Sequence, residues 1–162
     1  MKKYNVGIIG ATGMVGQRFA TLLENHPWFT VSALAASSRS AGKKYGDAVA
    51  GRWAMDTSIP ESMKDMVLFD AVEDKEKVAE KCDFVFCAVD MKKDEILKLE
   101  EDYARLECPV VSNNSANRKT PDVPMVVPEL NADHIEIIDA QRKRLGTKKG
   151  FIAVKSNCSL QS

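Results

Sequence analysis

A glycine-rich segment near the N-terminus constrains the fold more than any other feature of the chain. Gly10, Gly13 and Gly16 follow the apolar run Tyr4–Ile9 and open the amphipathic stretch Gly13–Asn25. In a GxxGxxG turn between a strand and a helix, the first glycine permits the tight turn, the second lets backbone approach a pyrophosphate and the third lets the helix pack on the sheet. The segment therefore predicts a dinucleotide site; the alternative is a strand–helix turn without a ligand.

The rest of the chain alternates apolar runs with amphipathic stretches. Strands that are apolar throughout are typical of parallel sheets buried on both faces. We therefore expect an α/β fold with a doubly wound, mostly parallel, Rossmann-like sheet. The predicted strands are Tyr4–Ile9, Val31–Ala36, Val67–Ala71, Phe84–Val89, Pro109–Ser112 and Phe151–Lys155, and the predicted helices are Gly13–Asn25, Asp74–Lys81, Lys92–Leu106 and Asn131–Leu145.

Composition narrows the possible partners and the compartment. Lys+Arg and Asp+Glu each number 23, and the net charge of zero argues against nucleic acid and a membrane surface as partners. No apolar run approaches the roughly 18 residues of a membrane-spanning helix. The four cysteines form no CxxC pair, which argues against zinc, and the N-terminus lacks the layout of a signal peptide. We expect a cytoplasmic protein.

The segment after the second predicted strand bears on which dinucleotide is bound. An NAD site usually places an acidic residue about 20 residues after the glycines, where it binds the ribose 2′-hydroxyl. Here Ser37, Ser38 and Arg39 are followed by the pair Lys43 and Lys44, with no acidic residue among them. Hydroxyls and cations can bind a 2′-phosphate, so the segment favours NADP. The alternative is a loop whose cations only face water.

A polar segment, Ser112–Lys119, follows the fifth predicted strand. It is dense in amide and hydroxyl groups and ends in two cations. Such a loop suits an oxyanion, which Arg118 could bind in bidentate fashion, with Asn114 as a further contact. Asn and Ser are also common turn formers, so on the residues alone both interpretations stay open.

Cys158 lies on a predicted strand-to-helix turn, between Asn157 and Ser159. The N-terminus of a helix lowers a thiol's pKa and raises the thiolate fraction. Cys158 could then form a thiohemiacetal and a thioester with an aldehyde substrate, and Asn157 or nearby N–H groups could stabilise the oxyanion. The alternative, a cysteine that only packs, stays equally open.

Taken together, these segments resemble the aspartate-semialdehyde dehydrogenases, most closely the branch found in archaea, fungi and some bacteria. The resemblance spans nearly all of the chain, but only the N-terminal, cofactor-binding half of the family's fold. It is carried by residues 10–16, 37–43, 112–118, 123–131 and 156–159, in that order.

The resemblance implies NADP- and phosphate-dependent oxidation of L-aspartate 4-semialdehyde to 4-aspartyl phosphate, a step that runs in reverse in lysine, threonine and methionine biosynthesis. Cys158 matches the family's nucleophile, and Asn157 a neighbouring active-site position. Arg118 matches the phosphate-binding arginine, with Asn114 beside it. The implied cofactor contacts are Gly10, Thr12, Gly13, Met14, Val15, Gly16, Ser37, Ser38, Arg39 and Ala88. Asp90 departs from the family, which often has a Pro-Ser turn there.

For the domains, we expect a dinucleotide-binding domain over residues 1–155 and the truncated start of a catalytic segment over 156–162. The family's second domain, which carries its general base and substrate-carboxylate site and much of its dimer contact, is not in this sequence. The fragment would be inactive alone, and the full-length protein would be a dimer or tetramer. A related acyl-phosphate or acyl-CoA reductase, such as a malonyl-CoA reductase, and a non-catalytic nucleotide sensor remain alternatives.

Overall fold

The computed structural model describes residues 3–157 and residue 159. The chain divides into two compact units, Met1–Asp90 and Met91–Ser162. In the described residues, no helix is long and apolar enough to cross a membrane.

The first unit alternates strands and helices. Its strands are all parallel and are ordered β3-β2-β1-β4. Parallel strands end at the same edge of a sheet, so the loops that follow β1, β2 and β4 meet there. The elements are β1 (Tyr4–Ile9), α1 (Met14–Leu23), β2 (Phe29–Ala36), α2 (Tyr45–Val49), β3 (Phe69–Asp70), α3 (Lys75–Lys81) and β4 (Phe84–Cys87).

The second unit contains three parallel strands in the order β5-β7-β6. Its α-helices and strands are α4 (Lys93–Arg105), β5 (Val110–Ser112), β6 (Met125–Val126), α5 (Pro128–Asn131), α6 (Ile138–Leu145) and β7 (Ile152–Lys155), and its 3-10 helices are Ala116–Lys119 and Ala132–Ile137. Parallel strands and intervening helices in both units confirm the predicted doubly wound α/β class.

Helix α1 differs from its predicted orientation. The periodicity predicts one inward face of Val15, Phe19, Leu22 and Leu23. Leu23 is buried and Phe19 packs against the core, but Val15 and Leu22 are 42% and 56% exposed. The buried positions are Gly16, Gln17, Ala20 and Leu23. Small side chains at two of these positions let the helix backbone lie close to β1, so close approach rather than the largest apolar residues determines the buried face.

The predicted single helix Asn131–Leu145 was wrong, because the chain forms the short helix α5, a 3-10 segment and then α6. The Asn131 side chain accepts from Val127 N and donates to Met125 O, at 2.7 and 2.9 Å. These bonds hold Asn131 outside helical geometry, at φ −146°. Neither α5 nor the 3-10 segment has a buried residue, so no core packing imposes regular α geometry there.

Candidate functional site

The glycine-rich loop joins β1 to α1 by very close backbone approach. Gly10 adopts φ +88°, and a Cβ there would lie 2.3 Å from the carbonyl oxygen of Ala88. A Cβ on Gly16 would lie 2.1 Å from the carbonyl oxygen of Gly10. Both distances are far below van der Waals contact, so the tight-turn and helix-packing roles predicted for Gly10 and Gly16 are confirmed.

Gly13 has room for a side chain instead. It is the N-cap of α1, and the nearest atom to a Cβ there would be Gly10 O, at 3.6 Å. The first turn of α1 has neither a side-chain cap nor an acidic residue, so its N–H donors remain available to an anion. Met14 and Val15, the next two residues, are exposed. The N-terminus of α1 thus has no side-chain cap, and its N-cap residue is a glycine with room beside it. This arrangement fits a pyrophosphate.

The carbonyls of this loop are held by residues that sequence reasoning missed. The buried Gln17 donates to Thr12 O at 3.1 Å and to Arg52 O at 3.2 Å, while its own oxygen accepts from Ala54 N. The Tyr45 hydroxyl donates to Ala11 O at 3.1 Å. Burial raises the pKa of Tyr45, so this hydroxyl keeps its proton and remains a donor. The buried side chains of Gln17 and Tyr45 thus hold the backbone carbonyl groups of the loop in place.

The predicted 2′-phosphate segment lies next to the glycine-rich loop. Ala35 O, in β2, accepts the N–H groups of Gly10 and Ala11 at 2.9 and 3.0 Å, which brings the ends of β1 and β2 together. The three residues that follow the end of β2, Ser37, Ser38 and Arg39, are all exposed. Their side chains are therefore accessible at the same sheet edge as Gly13, and no acidic residue stands among them.

Arg52, a second cation besides Arg39, contacts the turn that follows β2. Ser37 O accepts the N–H groups of Ser40 and Ala41, at 2.8 and 3.1 Å, and closes the turn. The Ser40 side chain is buried, and its hydroxyl accepts a hydrogen bond from the Arg52 guanidinium at 3.3 Å. Arg52 is exposed and carries no sequence motif, so only the fold identifies it as a neighbour of this turn.

Ala88, which directly follows β4, also contacts the glycine-rich loop. Its N–H donates to Ile9 O at 2.8 Å, and its carbonyl oxygen lies against Gly10. Ala88 is half-buried, and the exposed Asp90 follows two residues later. The predicted cofactor contacts of the first unit thus meet at one sheet edge.

In the second unit, Arg118 is fixed against the end of β7. Its Nε donates to Lys155 O at 3.2 Å and its Nη2 donates to Ser156 O at 3.3 Å. Arg118 is half-buried, and its guanidinium lies beside the backbone that leads directly to Asn157. These two bonds orient the planar fork of Arg118 and bring it close in space to a segment 37 residues later in the chain.

The loop that carries Arg118, residues 112–120, is organised around one buried carboxylate. Glu100, on α4, is 0% exposed. It accepts hydrogen bonds from Ser112 Oγ, from Asn114 Nδ2 at 3.2 Å and from Asn117 Nδ2 at 2.7 Å. Asn114 thus uses its amide nitrogen to hold the loop, which is a structural contact that the sequence did not predict for it.

Glu100 is the main residue that sequence reasoning missed, although one signal was present. Ile96, Leu99 and Tyr103 are buried along α4, and Glu100 falls on the same stripe. An acidic side chain on an apolar helix face needs buried donors. Ser112, Asn114 and Asn117 supply them.

Cys158, predicted as the nucleophile, lies outside the described residues. Its neighbour Asn157 is exposed, and its side-chain oxygen accepts from Ser159 N at 2.9 Å and Ser159 Oγ at 2.8 Å. This Asx-type turn is how an asparagine commonly begins a helical turn.

Fold and site together define the class of protein: a dinucleotide-binding domain. Residues 5–138 match the family model described as "Semialdehyde dehydrogenase, NAD binding domain", and the chain belongs to this family. It is 44% identical over 158 residues to an aspartate-semialdehyde dehydrogenase of Aspergillus fumigatus, covering 98% of this chain and 42% of that protein. The corresponding enzyme of Methanothermobacter thermautotrophicus is 44% identical over 155 residues, 96% of this chain and 42% of its own length.

A solved structure extends the comparison to three dimensions. The crystal structure of the Candida albicans aspartate-semialdehyde dehydrogenase with NADP superposes with a TM-score of 0.84 at 41% identity, over 98% of this chain and 44% of that one. The chain therefore spans less than half the length of the relatives it matches.

Proposed function

We propose that this chain is the cofactor-binding part of an NADP- and phosphate-dependent dehydrogenase that interconverts L-aspartate 4-semialdehyde and 4-aspartyl phosphate. The observation that carries the proposal is the position of Arg118. Its two hydrogen bonds to Lys155 O and Ser156 O place a guanidinium beside the backbone that leads, two residues after Ser156, to Cys158. A cation that can bind an anion, held on the segment that leads to a proposed nucleophile, suits a reaction in which phosphate attacks an enzyme-bound acyl group.

The proposed chemistry assigns one task to each site. The Cys158 thiolate attacks the aldehyde carbon and forms a thiohemiacetal, whose oxidation leaves a thioester on the sulfur. NADP, held at the glycine-rich loop and at Ser37–Arg39, would supply the hydride acceptor for that oxidation. Arg118 then holds inorganic phosphate while one of its oxygens attacks the thioester carbonyl, which yields the acyl phosphate and returns the thiolate.

The cofactor assignment to NADP rests on the first unit. An uncapped helix N-terminus at Gly13 suits the pyrophosphate, and exposed hydroxyls together with Arg39 suit a 2′-phosphate. The Candida albicans relative is named as a structure with NADP.

The remaining cysteines support Cys158 as the nucleophile. Cys87 and Cys108 are 2% and 1% exposed, and burial raises the pKa of the Cys82 thiol. Burial keeps a substrate away from Cys87 and Cys108, and a raised pKa leaves Cys82 with less of the nucleophilic thiolate.

We further propose that the natural protein is a cytoplasmic homo-oligomer that acts on a small-molecule substrate. Leu130 and Ile135, in the segment that has no buried residue, are 82% and 52% exposed, and exposed apolar residues of this kind favour association. Light scattering on the natural protein tests this proposal, and a monomer at micromolar concentration would contradict it.

The main test is an assay of NADP reduction by L-aspartate 4-semialdehyde, using the natural protein with and without inorganic phosphate. Phosphate-dependent turnover that disappears in Cys158→Ser is the expected result. Cys82→Ser is the matched control and should keep turnover. Turnover that requires coenzyme A instead of phosphate would overturn the phosphate assignment and favour an acyl-CoA reductase. NADPH binding without any turnover would favour a nucleotide sensor.

A further inference from the structure

We propose that Glu100 is the positioning residue of the phosphate site: it acts through Ser112, Asn114 and Asn117 to hold the loop that presents Arg118. The inference rests on the proposed function, because it concerns how that function's phosphate is bound.

The first support is the burial and partner set of the carboxylate. Glu100 is 0% exposed, and its carboxylate accepts hydrogen bonds from Ser112, Asn114 and Asn117. A buried carboxylate is costly unless every donor around it is well placed. The loop and the carboxylate therefore specify each other's geometry.

The second support is the direction of these hydrogen bonds. Asn114 and Asn117 both give their Nδ2 groups to Glu100, which fixes the orientation of both amides. Asn117 Oδ1 is then left to accept from Thr120 Oγ1 at 2.8 Å, and Asn114 N donates to Ser112 Oγ at 3.0 Å. The hydrogen-bonded residues span positions 112 to 120 and therefore lie on both sides of Arg118 in the sequence.

The third support is the connection to Arg118. Asn117 is the residue immediately before Arg118, is 1% exposed, and makes its 2.7 Å bond to Glu100 Oε2. Arg118 itself is tied to Lys155 O and Ser156 O. The loop is thus held on α4 through Asn117 and on the end of β7 through Arg118. The Arg118 guanidinium itself makes the contact with β7.

Glu100→Gln is the sharpest substitution because it keeps the shape of the side chain. Asn114 and Ser112 donate to one carboxylate oxygen and Asn117 to the other, so a glutamine keeps one acceptor and places an NH2 group against the donor of either Asn114 or Asn117. At least one of these amides must turn or move. A displacement of about 1 Å can cost one to two orders of magnitude in a positioned step.

The experiment measures the KM for inorganic phosphate, the KM for NADP and kcat in the natural protein. We expect Glu100→Gln to raise the phosphate KM about tenfold or more and to leave the NADP KM within about twofold. Glu101→Gln is the matched control, at the next position of α4. It removes ion pairs to Arg144 and Arg105, which would lower stability but not phosphate binding.

Two further variants keep the proposal falsifiable if Glu100→Gln fails to fold. Ser112→Ala removes one donor and keeps the carboxylate, so it should raise the phosphate KM by a smaller factor. The double variant Glu100→Gln/Asn117→Asp exchanges donor and acceptor and should recover part of the lost phosphate affinity. A purely structural role predicts neither the selective change in KM nor this recovery.

The outcomes separate this inference from the proposed function. A wild-type enzyme whose activity does not depend on phosphate would overturn the proposed function. A phosphate-dependent wild type in which folded Glu100→Gln, or Ser112→Ala, keeps the wild-type phosphate KM would overturn the role of Glu100 alone. Equal increases in the KM values for phosphate and NADP would also overturn it, because they indicate a general loss of structure.

Discussion

The two loops that form the candidate sites are built in different ways. The glycine-rich loop is shaped by backbone approach, with a Cβ on Gly16 only 2.1 Å from Gly10 O. The loop of residues 112–120 is shaped by side-chain hydrogen bonds around the buried Glu100. The first design leaves no room for an added atom at Gly10 or Gly16, and the second depends on every hydrogen-bond partner, so the two should respond to different substitutions.

The largest expected effect is on folding, at Gly16. Gly16→Ala forces a methyl group into backbone atoms that cannot move independently, so we expect a loss of about 3 kcal/mol or more in the free energy of unfolding. Urea unfolding of the chain measures it. Gly13→Ala is the matched control, since its Cβ would have ordinary contacts, and should cost no more than about 1 kcal/mol. Equal losses in both variants would show that close approach does not shape this loop.

A somewhat smaller effect is expected at Gln141, which tests the hydrogen-bonded design of the second unit. This residue is 0% exposed, donates to Asp122 O and Ile152 O at 2.9 Å each, and accepts from Ile152 N. Gln141→Leu leaves these three backbone groups without their hydrogen-bond partner and should lower the free energy of unfolding by about 2–3 kcal/mol. Lys143→Leu, on the exposed side of the same helix, should cost almost nothing. A tolerated Gln141→Leu would mean that apolar packing alone holds the unit.

The third prediction concerns the cofactor rather than folding. Arg39→Glu places a carboxylate where the 2′-phosphate is proposed to bind, so we expect NADPH affinity to fall at least about tenfold while NADH affinity changes much less. Fluorescence titration with each nucleotide measures both. Lys81→Glu, an exposed charge reversal in the same unit, is the control. Parallel losses for both nucleotides would remove Arg39 from the 2′-phosphate site.

The smallest effect is a pH dependence in the second unit. Hydrogen bonds from Lys148 N, Lys149 N and Gly150 N hold the pKa of Glu107 below its usual value. A lowered folded-state pKa stabilises the fold above the unfolded-state pKa, and this contribution is lost as the pH falls through the folded-state pKa. Glu107 is largely exposed, so Glu107→Gln should cost only about 1 kcal/mol at neutral pH.

Unfolding of wild type and Glu107→Gln from pH 7 downward tests this dependence. The difference between them should be present at pH 7 and shrink below about pH 4. Glu80→Gln, at an exposed position of the first unit, is the control. A difference that stays constant down to low pH would show that charge is not what Glu107 contributes.

The contrast between the loops also explains what sequence could predict. Glycine spacing after a strand is a local signal, and it located Gly10, Gly13 and Gly16 correctly. The C-terminus of α6 was equally local: Gly146 ends the helix at φ +74°. The carboxyl ends of parallel strands then placed Ser37–Arg39 beside the loop, whereas Ala88 was expected there only from the family resemblance.

The missed features depend on partners that are distant in the sequence. Gln17 is held by residues 35 and 37 positions away, and Glu100 by residues 12 to 17 positions away. Strand β6 has only two residues, too few to show a period. No periodicity reveals which polar side chain will find a buried partner, so the hydrogen-bonded loop became visible only in the folded chain.

One measurement tests the central claim, that the two loops hold different ligands, most directly. It is the pair of KM values for NADP and inorganic phosphate in the natural protein carrying Gly13→Ala or Arg118→Leu. We predict that Gly13→Ala raises the NADP KM and leaves the phosphate KM unchanged, and that Arg118→Leu does the reverse. If either variant raises both constants together, or if Arg118→Leu leaves the phosphate KM at the wild-type value, the assignment of one ligand to each loop is contradicted.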